Sequence, residues 1–148
     1  MVTTVGTEST LEDLLRDLIQ LEHDAKDAYQ AAIDRLENAS FRTQLAAFRE
    51  DHLRHIEELG GLMAEMGREP PQQGDMKSLL TKGKVVLAGL VGDKAILLAM
   101  QTNEDDTNTA YERATQKDAP PEAHAVFERA LEDERRHRDW IVATLDRL

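Results

Sequence analysis

The chain has 148 residues, enough for one domain with a buried core, and it contains no cysteine, which excludes disulfides, thiolate zinc sites and cysteine nucleophiles. Its net charge of −11 and the lack of a basic patch argue against nucleic acid as a partner. Neither a signal-peptide pattern nor an apolar run long enough to span a bilayer is present, so we expect a cytoplasmic protein without membrane contact, folded as one domain over residues 1–148.

The first two helices are predicted from apolar residues that recur every three or four positions. One begins near Ser9, because Ser9 and Glu12 have the spacing of a capping box, and it breaks around Asn38. The next runs from about 41 to 66, and Gly67 closes it. Residues 1–8, ahead of the first helix, are expected to be flexible.

Two further helices follow a long connection over residues 67–93, which is interrupted by prolines and glycines and contains a short helical segment from 76 to 91. Gly92 and Asp93 precede a helix from about 94 to 116. The last helix starts at Pro120-Pro121 and reaches the C-terminus.

These connection lengths predict the architecture. A few residues join the first helix to the second and the third to the fourth, so each pair forms an antiparallel hairpin. A helix of about 25 residues is roughly 37 Å long, and the connection 67–93 can return the chain over that distance. The prediction is an all-α fold, a four-helix bundle with one long crossover.

The two halves of the chain repeat each other at an offset of 82 residues, with nine identities and no gap between 22–66 and 104–148. The identities are mostly polar and lie in mid-helix, where chance similarity between two apolar helix faces would not put them. Glu22 corresponds to Glu104, and His55 corresponds to His137.

Apolar residues spaced three or four positions apart form a seam along each of the four predicted helices. On every helix, ionisable side chains occupy positions within this seam. Buried charges of this kind are costly unless they are paired, and divalent cations with oxygen and nitrogen ligands resolve that cost. We therefore predict a metal centre whose ligands are Glu22, His52, His55, Glu104, Glu134 and His137. Two metal ions are expected, with iron favoured and manganese or zinc as alternatives.

One position departs from the pattern of two single glutamates and two Glu-x-x-His pairs. The second half has Glu134-x-x-His137, but the first half has His52-x-x-His55. The site is then asymmetric, or holds one metal, or recruits Asp51 or Glu50. The alternative for the whole set is a hydrogen-bonded polar layer that fixes helix register.

The chain resembles the ferritin-like superfamily, which includes rubrerythrins and bacterioferritins, and more narrowly a bacterial ferritin-like family of unknown function. The resemblance is strongest over Asp93–Leu97, Asn103–Asp106, Ala110-Tyr111 and Pro120–Glu122. It implies ligand positions at Glu22, His55, Glu104, Glu134 and His137. It also implies that Tyr29 and Tyr111 hydrogen-bond ligand carboxylates; plain core packing is their alternative.

The predicted function is therefore a di-metal carboxylate protein with ferroxidase-type or peroxidase-type activity, or with a role in iron handling under stress. Its partners would be metal ions and O₂ or peroxide, and assembly as a homodimer stays open. The alternative is a non-catalytic helical scaffold or stress protein whose site is degenerate, zinc-bound or empty.

Overall fold

A computed structural model describes residues 3–73, 87 and 89–148 of the chain. In these ranges the chain forms four long helices and no strand, so the predicted all-α four-helix bundle is confirmed. The helices are α1 (Leu11–Arg35), α2 (Ala39–Glu65), α3 (Asp93–Thr115) and α4 (Pro121–Leu145). The predicted short helix of the crossover falls largely outside the described residues.

The helix ends differ slightly from the prediction. Thr10, and not Ser9, caps α1, and its hydroxyl accepts a hydrogen bond from the amide of Asp13. The sequence offered hydroxyls at both positions with a carboxylate three residues on, so spacing alone did not separate them. Asn38 caps α2 by accepting from the amide of Phe41, two residues earlier than expected.

The α1–α2 connection is tied to the start of α3. The carboxylate of Asp93 accepts hydrogen bonds from the amides of Glu37 and Asn38, at 2.8 and 3.0 Å. Gly92 precedes it with φ of +96°, a left-handed conformation that glycine adopts without strain. This contact fixes the end of one hairpin against the beginning of the other.

The bundle pairs α1 with α2 and α3, and α4 with α3 and α2. The facing helices α2 and α4 run antiparallel, since His55 on α2 meets Asp133 on α4 while His137 meets Asp51. Leucines, alanines and two phenylalanines fill the space between the helices. In the described part of the chain, no helix combines the length and apolar character needed to cross a bilayer.

The N-terminal segment packs on α3, where the sequence predicted flexibility. Val5 is buried, and the guanidinium of Arg113 donates to the carbonyls of Thr3 and Val5 at 2.7 and 3.1 Å. The ammonium of Lys117 also donates to the carbonyl of Glu8. One buried apolar side chain and a few hydrogen bonds of backbone groups hold residues 3–8, a signal too small to see in the sequence.

Candidate metal centre

The structure brings all six sequence-predicted ligands together in the middle of the bundle, and each is at most 2% exposed. They form two overlapping groups whose candidate ligand atoms all lie within 4.8 Å of one another. The first group contains Glu22, His52, His55 and Glu134, and the second contains His52, Glu104, Glu134 and His137. Because His52 and Glu134 belong to both groups, the geometry is that of two adjoining cation sites; metal binding itself stays a prediction.

The first group is centred on the carboxylate of Glu22. Its Oε2 lies 2.9 Å from Nδ1 of His52 and 3.2 Å from Nδ1 of His55. Oε1 of Glu134 lies 3.4 Å from each of the same two nitrogens. Two imidazole nitrogens and two carboxylate oxygens therefore face one point, a donor set that suits iron, manganese or zinc.

The second group uses the other oxygen of Glu134 and the other ring nitrogen of His52, the two shared residues. Oε2 of Glu134 lies 3.6 Å from Nδ1 of His137, and Oε1 of Glu104 lies 3.5 Å from that nitrogen. Nε2 of His52 lies 3.9 Å from Oε1 of Glu104. Glu134 thus directs one oxygen to each group.

The two tyrosines reach across the bundle to the carboxylates of the opposite half. The hydroxyl of Tyr29 donates to Oε1 of Glu104, and that of Tyr111 donates to Oε1 of Glu22 at 3.1 Å. The Tyr111 hydroxyl leaves Oε2 of Glu22 directed at His52 and His55, whereas Tyr29 bonds the same Oε1 of Glu104 that faces His137. Each hydroxyl holds its carboxylate in place.

Two aspartates hold the outer nitrogens of two histidines. Nε2 of His55 lies 2.8 Å from Oδ2 of Asp133, and Nε2 of His137 lies 2.8 Å from Oδ2 of Asp51. A neutral imidazole that donates from Nε2 has its lone pair on Nδ1, the nitrogen that faces the cluster. The sequence analysis missed this role, although both aspartates are identities of the internal repeat.

A pair of arginines closes the same layer towards solvent. Arg54 and Arg136 each pair with both aspartates, and both side chains are about half exposed. Asp51 therefore supports His137 and Arg136, and it does not replace the carboxylate missing at position 52. Glu50 is mostly exposed and lies outside the cluster.

The second hairpin adds polar contacts that the sequence analysis did not assign. The hydroxyl of Thr107 lies 2.9 Å from Oε2 of Glu134 and 3.3 Å from Oε2 of Glu104. The amide of Asn108 donates to the backbone carbonyls of Glu104 and Glu134. These contacts join α3 to α4 at the level of the cluster.

The charged groups of the cluster strongly shift the pKa values of its histidines. Burial alone lowers the pKa of His52, but Glu134 and Glu22 raise it to about 9. Burial likewise opposes the carboxylates around His137 and His55, whose pKa values rise to about 11 and about 12. Protons on these imidazoles offset the carboxylates, so a cation would compete with protons for the same nitrogens.

The carboxylates respond in the opposite direction. Burial alone raises the pKa of Glu22, but His55 and His52 lower it well below its usual range. Burial also raises the pKa of Glu104, but hydrogen bonds and charge from His137 and His52 lower it by more. The net effect is a pKa well below the usual range. Both glutamates are therefore ionised at neutral pH and available as ligands.

Three inward atoms of the cluster make no hydrogen bond within the described residues. They are Nε2 of His52, Oε1 of Glu134 and Nδ1 of His137. Buried polar atoms are nearly always satisfied, so free donors and acceptors at one point indicate a missing partner. All three face the candidate ligand groups, and a cation is a partner that the donor set fits.

Comparison with known proteins gives a family but no function. The model of the family described as a domain of unknown function, DUF2383, matches residues 10–117. This range covers 108 of the 148 residues and the first three helices, and it ends before α4. Neither a curated protein nor a solved structure matches the chain.

Proposed function

The chain belongs to the DUF2383 family, and we propose that it is a ferritin-like di-metal protein that binds ferrous ions in its buried Glu/His cluster and oxidises them with O₂ or peroxide. The observation that carries the proposal is the pair of four-residue groups that share His52 and Glu134. Two adjoining sites with shared ligands are the arrangement that a two-ion reaction needs.

Iron is the substrate of the proposed reaction, and the electrons that it loses reduce the oxidant. With peroxide, each of two ferrous ions gives up one electron, the O–O bond takes both electrons, and two protons complete two molecules of water. Bound metal supplies the redox step, and the protein supplies ligands, orientation and charge.

The residues of the cluster perform these tasks in the proposal. Glu22 and Glu104 neutralise cation charge, and Tyr29 and Tyr111 hold their carboxylates in place by hydrogen bonding one oxygen of each. A histidine that binds a cation releases the proton from its inner nitrogen. The lone pair of that nitrogen then binds the cation.

The route for cations in the proposal runs through the layer of Asp51 and Asp133. Their side chains are 15% and 17% exposed, and they contact the buried histidines directly, so they lie between solvent and the cluster. A net charge of −11 also raises the local concentration of cations around the protein. Arg54 and Arg136 lie on the exposed side of this layer.

The test is metal analysis of protein purified without chelator, followed by optical measurement of ferric iron when ferrous iron is added to the metal-free protein. We expect about two irons per chain and oxidation faster than in buffer, since both groups can bind an ion. Glu134→Ala should abolish both results, because Glu134 serves both groups.

The matched control is Glu50→Ala, which removes an exposed carboxylate from α2. It should leave uptake and rate unchanged. A wild-type protein that takes up no iron and shows no rate above buffer would refute the proposal.

A non-catalytic zinc site is the second candidate, and His52 is the observation that favours it. An imidazole in place of a bridging carboxylate gives the cluster three nitrogens and three carboxylates, a set that zinc accepts as well as iron. Protein that retains zinc through purification and shows no ferrous oxidation would establish this alternative.

A further inference from the structure

The imidazole of His52 differs from the other two in the cluster, and this inference rests on the proposed function. His55 and His137 each use Nε2 to contact an aspartate at 2.8 Å, which leaves only Nδ1 for a cation. Neither ring nitrogen of His52 has an aspartate partner among the described residues. Within the cluster, His52 is therefore the imidazole with both nitrogens directed inward.

The two nitrogens of His52 face different ligand groups. Nδ1 lies 2.9 Å from Oε2 of Glu22 and 3.4 Å from Oε1 of Glu134, which belong to the first group. Nε2 lies 3.9 Å from Oε1 of Glu104, which belongs to the second group. Nε2 is also fully buried and makes no hydrogen bond within the described residues.

We propose that His52 is a bridging ligand that binds one cation through Nδ1 and a second through Nε2, so that the two ions share an imidazole and the carboxylate of Glu134. The repeat explains the exchange: position 52 corresponds to position 134, and a five-membered ring with two nitrogens replaces a carboxylate with two oxygens.

Charge counting supports this role. Three carboxylates balance only three of the four positive charges of two divalent ions. An imidazole that binds through both nitrogens has no N–H, and the proton that it loses to solvent leaves the ring with one negative charge. The centre is then neutral, which a site shielded from water favours.

The first consequence concerns affinity. A shared ligand contributes to both binding steps, whereas His55 belongs only to the first group. His52→Gln should weaken both zinc-binding steps by at least about tenfold, and the matched variant His55→Gln should weaken one step, since even indirect ligand supports change affinity by roughly 10- to 100-fold. Calorimetric titration of the metal-free protein with zinc measures both steps.

The second consequence is visible in the ring nitrogens themselves. In protein labelled with ¹⁵N-histidine and loaded with two zinc ions, NMR should show an N–H on His55 and His137 but none on His52. At one zinc per chain, His52 should keep its N–H. His52→Gln assigns the signal, and His52→Glu, which keeps a group able to bridge, assigns it should the glutamine variant fail to fold.

The outcomes separate the inference from the proposed function. A wild-type protein that binds no zinc and no iron refutes both. Two bound ions with an N–H retained on His52, or a His52→Gln variant that weakens one step only, would overturn the bridging role and leave the two-ion centre intact. A single zinc at saturation also overturns the bridge.

Discussion

The two hairpins place the same residues around the cluster, yet they differ at a few positions that act together. Each hairpin supplies a glutamate, a tyrosine and an outward-bonded histidine at corresponding places. Position 52 is a histidine where position 134 is a glutamate. Positions 25 and 26 are Ala25 and Lys26 where the second hairpin has Thr107 and Asn108.

This difference shows how donors and acceptors balance inside the bundle. Glu134 can only accept hydrogen bonds when ionised, and Thr107 donates to it. In the first hairpin His52 is itself a donor towards Glu22, and Ala25, which corresponds to Thr107, has no hydroxyl to offer. A change from carboxylate to imidazole thus accompanies the loss of a donor on the neighbouring helix.

The largest expected effect tests whether the halves are energetically equivalent. Glu22→Ala removes the acceptor of His52, His55 and Tyr111, and Glu104→Ala removes the acceptor of Tyr29 and a partner of His137. Each should lower the free energy of unfolding by about 3–5 kcal/mol, because the buried partners stay behind. Urea unfolding in the presence of chelator measures this.

Glu50→Ala is the control for both variants, and its exposed side chain predicts a change within about 0.5 kcal/mol. A cost for Glu104→Ala far below that of Glu22→Ala would show that the first hairpin alone holds the charge network.

The dependence of stability on pH tests the charge balance between the glutamates and the histidines of the cluster. Glu22 and Glu104 have lowered pKa values, so their stabilisation is present above the usual 4.5 and is lost as the pH falls. The histidines have raised pKa values, so their stabilisation is present below the usual 6.5 and is lost as the pH rises. The metal-free protein should be most stable between these two values.

Above the usual 6.5, unfolded histidines lose their protons, while folded His52, His137 and His55 keep theirs because their pKa values are raised to about 9, about 11 and about 12. Each histidine therefore steepens the fall of the unfolding free energy with pH, so this fall between pH 7 and 9 should be less steep in His52→Gln than in wild type. An unchanged slope would contradict the assignment.

A smaller effect concerns the donor that only the second hairpin has. Thr107→Val keeps the shape of the side chain but removes the hydroxyl that lies 2.9 Å from Glu134, which should cost about 1–3 kcal/mol. The control Thr43→Val removes an exposed hydroxyl bonded only to its own helix, at Ala39. Equal costs for the two variants would mean that the contact with Glu134 contributes nothing.

The smallest effect is expected in the outer layer, where the two halves are alike. Arg54→Gln and Arg136→Gln each remove half-exposed ion pairs with both aspartates, so each should change stability by about 0–1 kcal/mol. Thermal unfolding compares the pair directly, and unequal values would show that the outer layer does not share the symmetry of the sequence repeat.

The fold and the cluster were predictable for the same reason. Apolar residues at helical spacing define the buried seams, and polar residues that interrupt those seams must meet in the interior. Glu22, Glu104 and His137 could be placed near one another in this way, without knowledge of helix rotation. Their metal-binding role is a further step, and it stays a prediction.

Other features depended on details that spacing does not contain. The contact of Asp51 with His137 requires a particular rotation of α2 against α4, and Asp51 is a partly exposed residue beside the buried seam. The choice of Thr10 over Ser9 as a cap turns on one backbone conformation. The packing of residues 3–8 depends on Arg113, a residue that looks like part of a solvated surface in the sequence.

Residues 3–8 form an N-terminal strap on α3, and this strap bears on how the protein should be handled. The amide of Thr3 donates to Asp106, two residues beyond Glu104, so the strap lies behind the helix that carries a predicted ligand. Gly6 has φ of +100°, and a Cβ there would lie 2.4 Å from Cβ of Arg113, so a larger residue cannot follow the same path. A purification tag at the N-terminus, or a truncation there, would disturb the packing of the strap on α3 and through α3 the cluster. A tag after α4 avoids the strap.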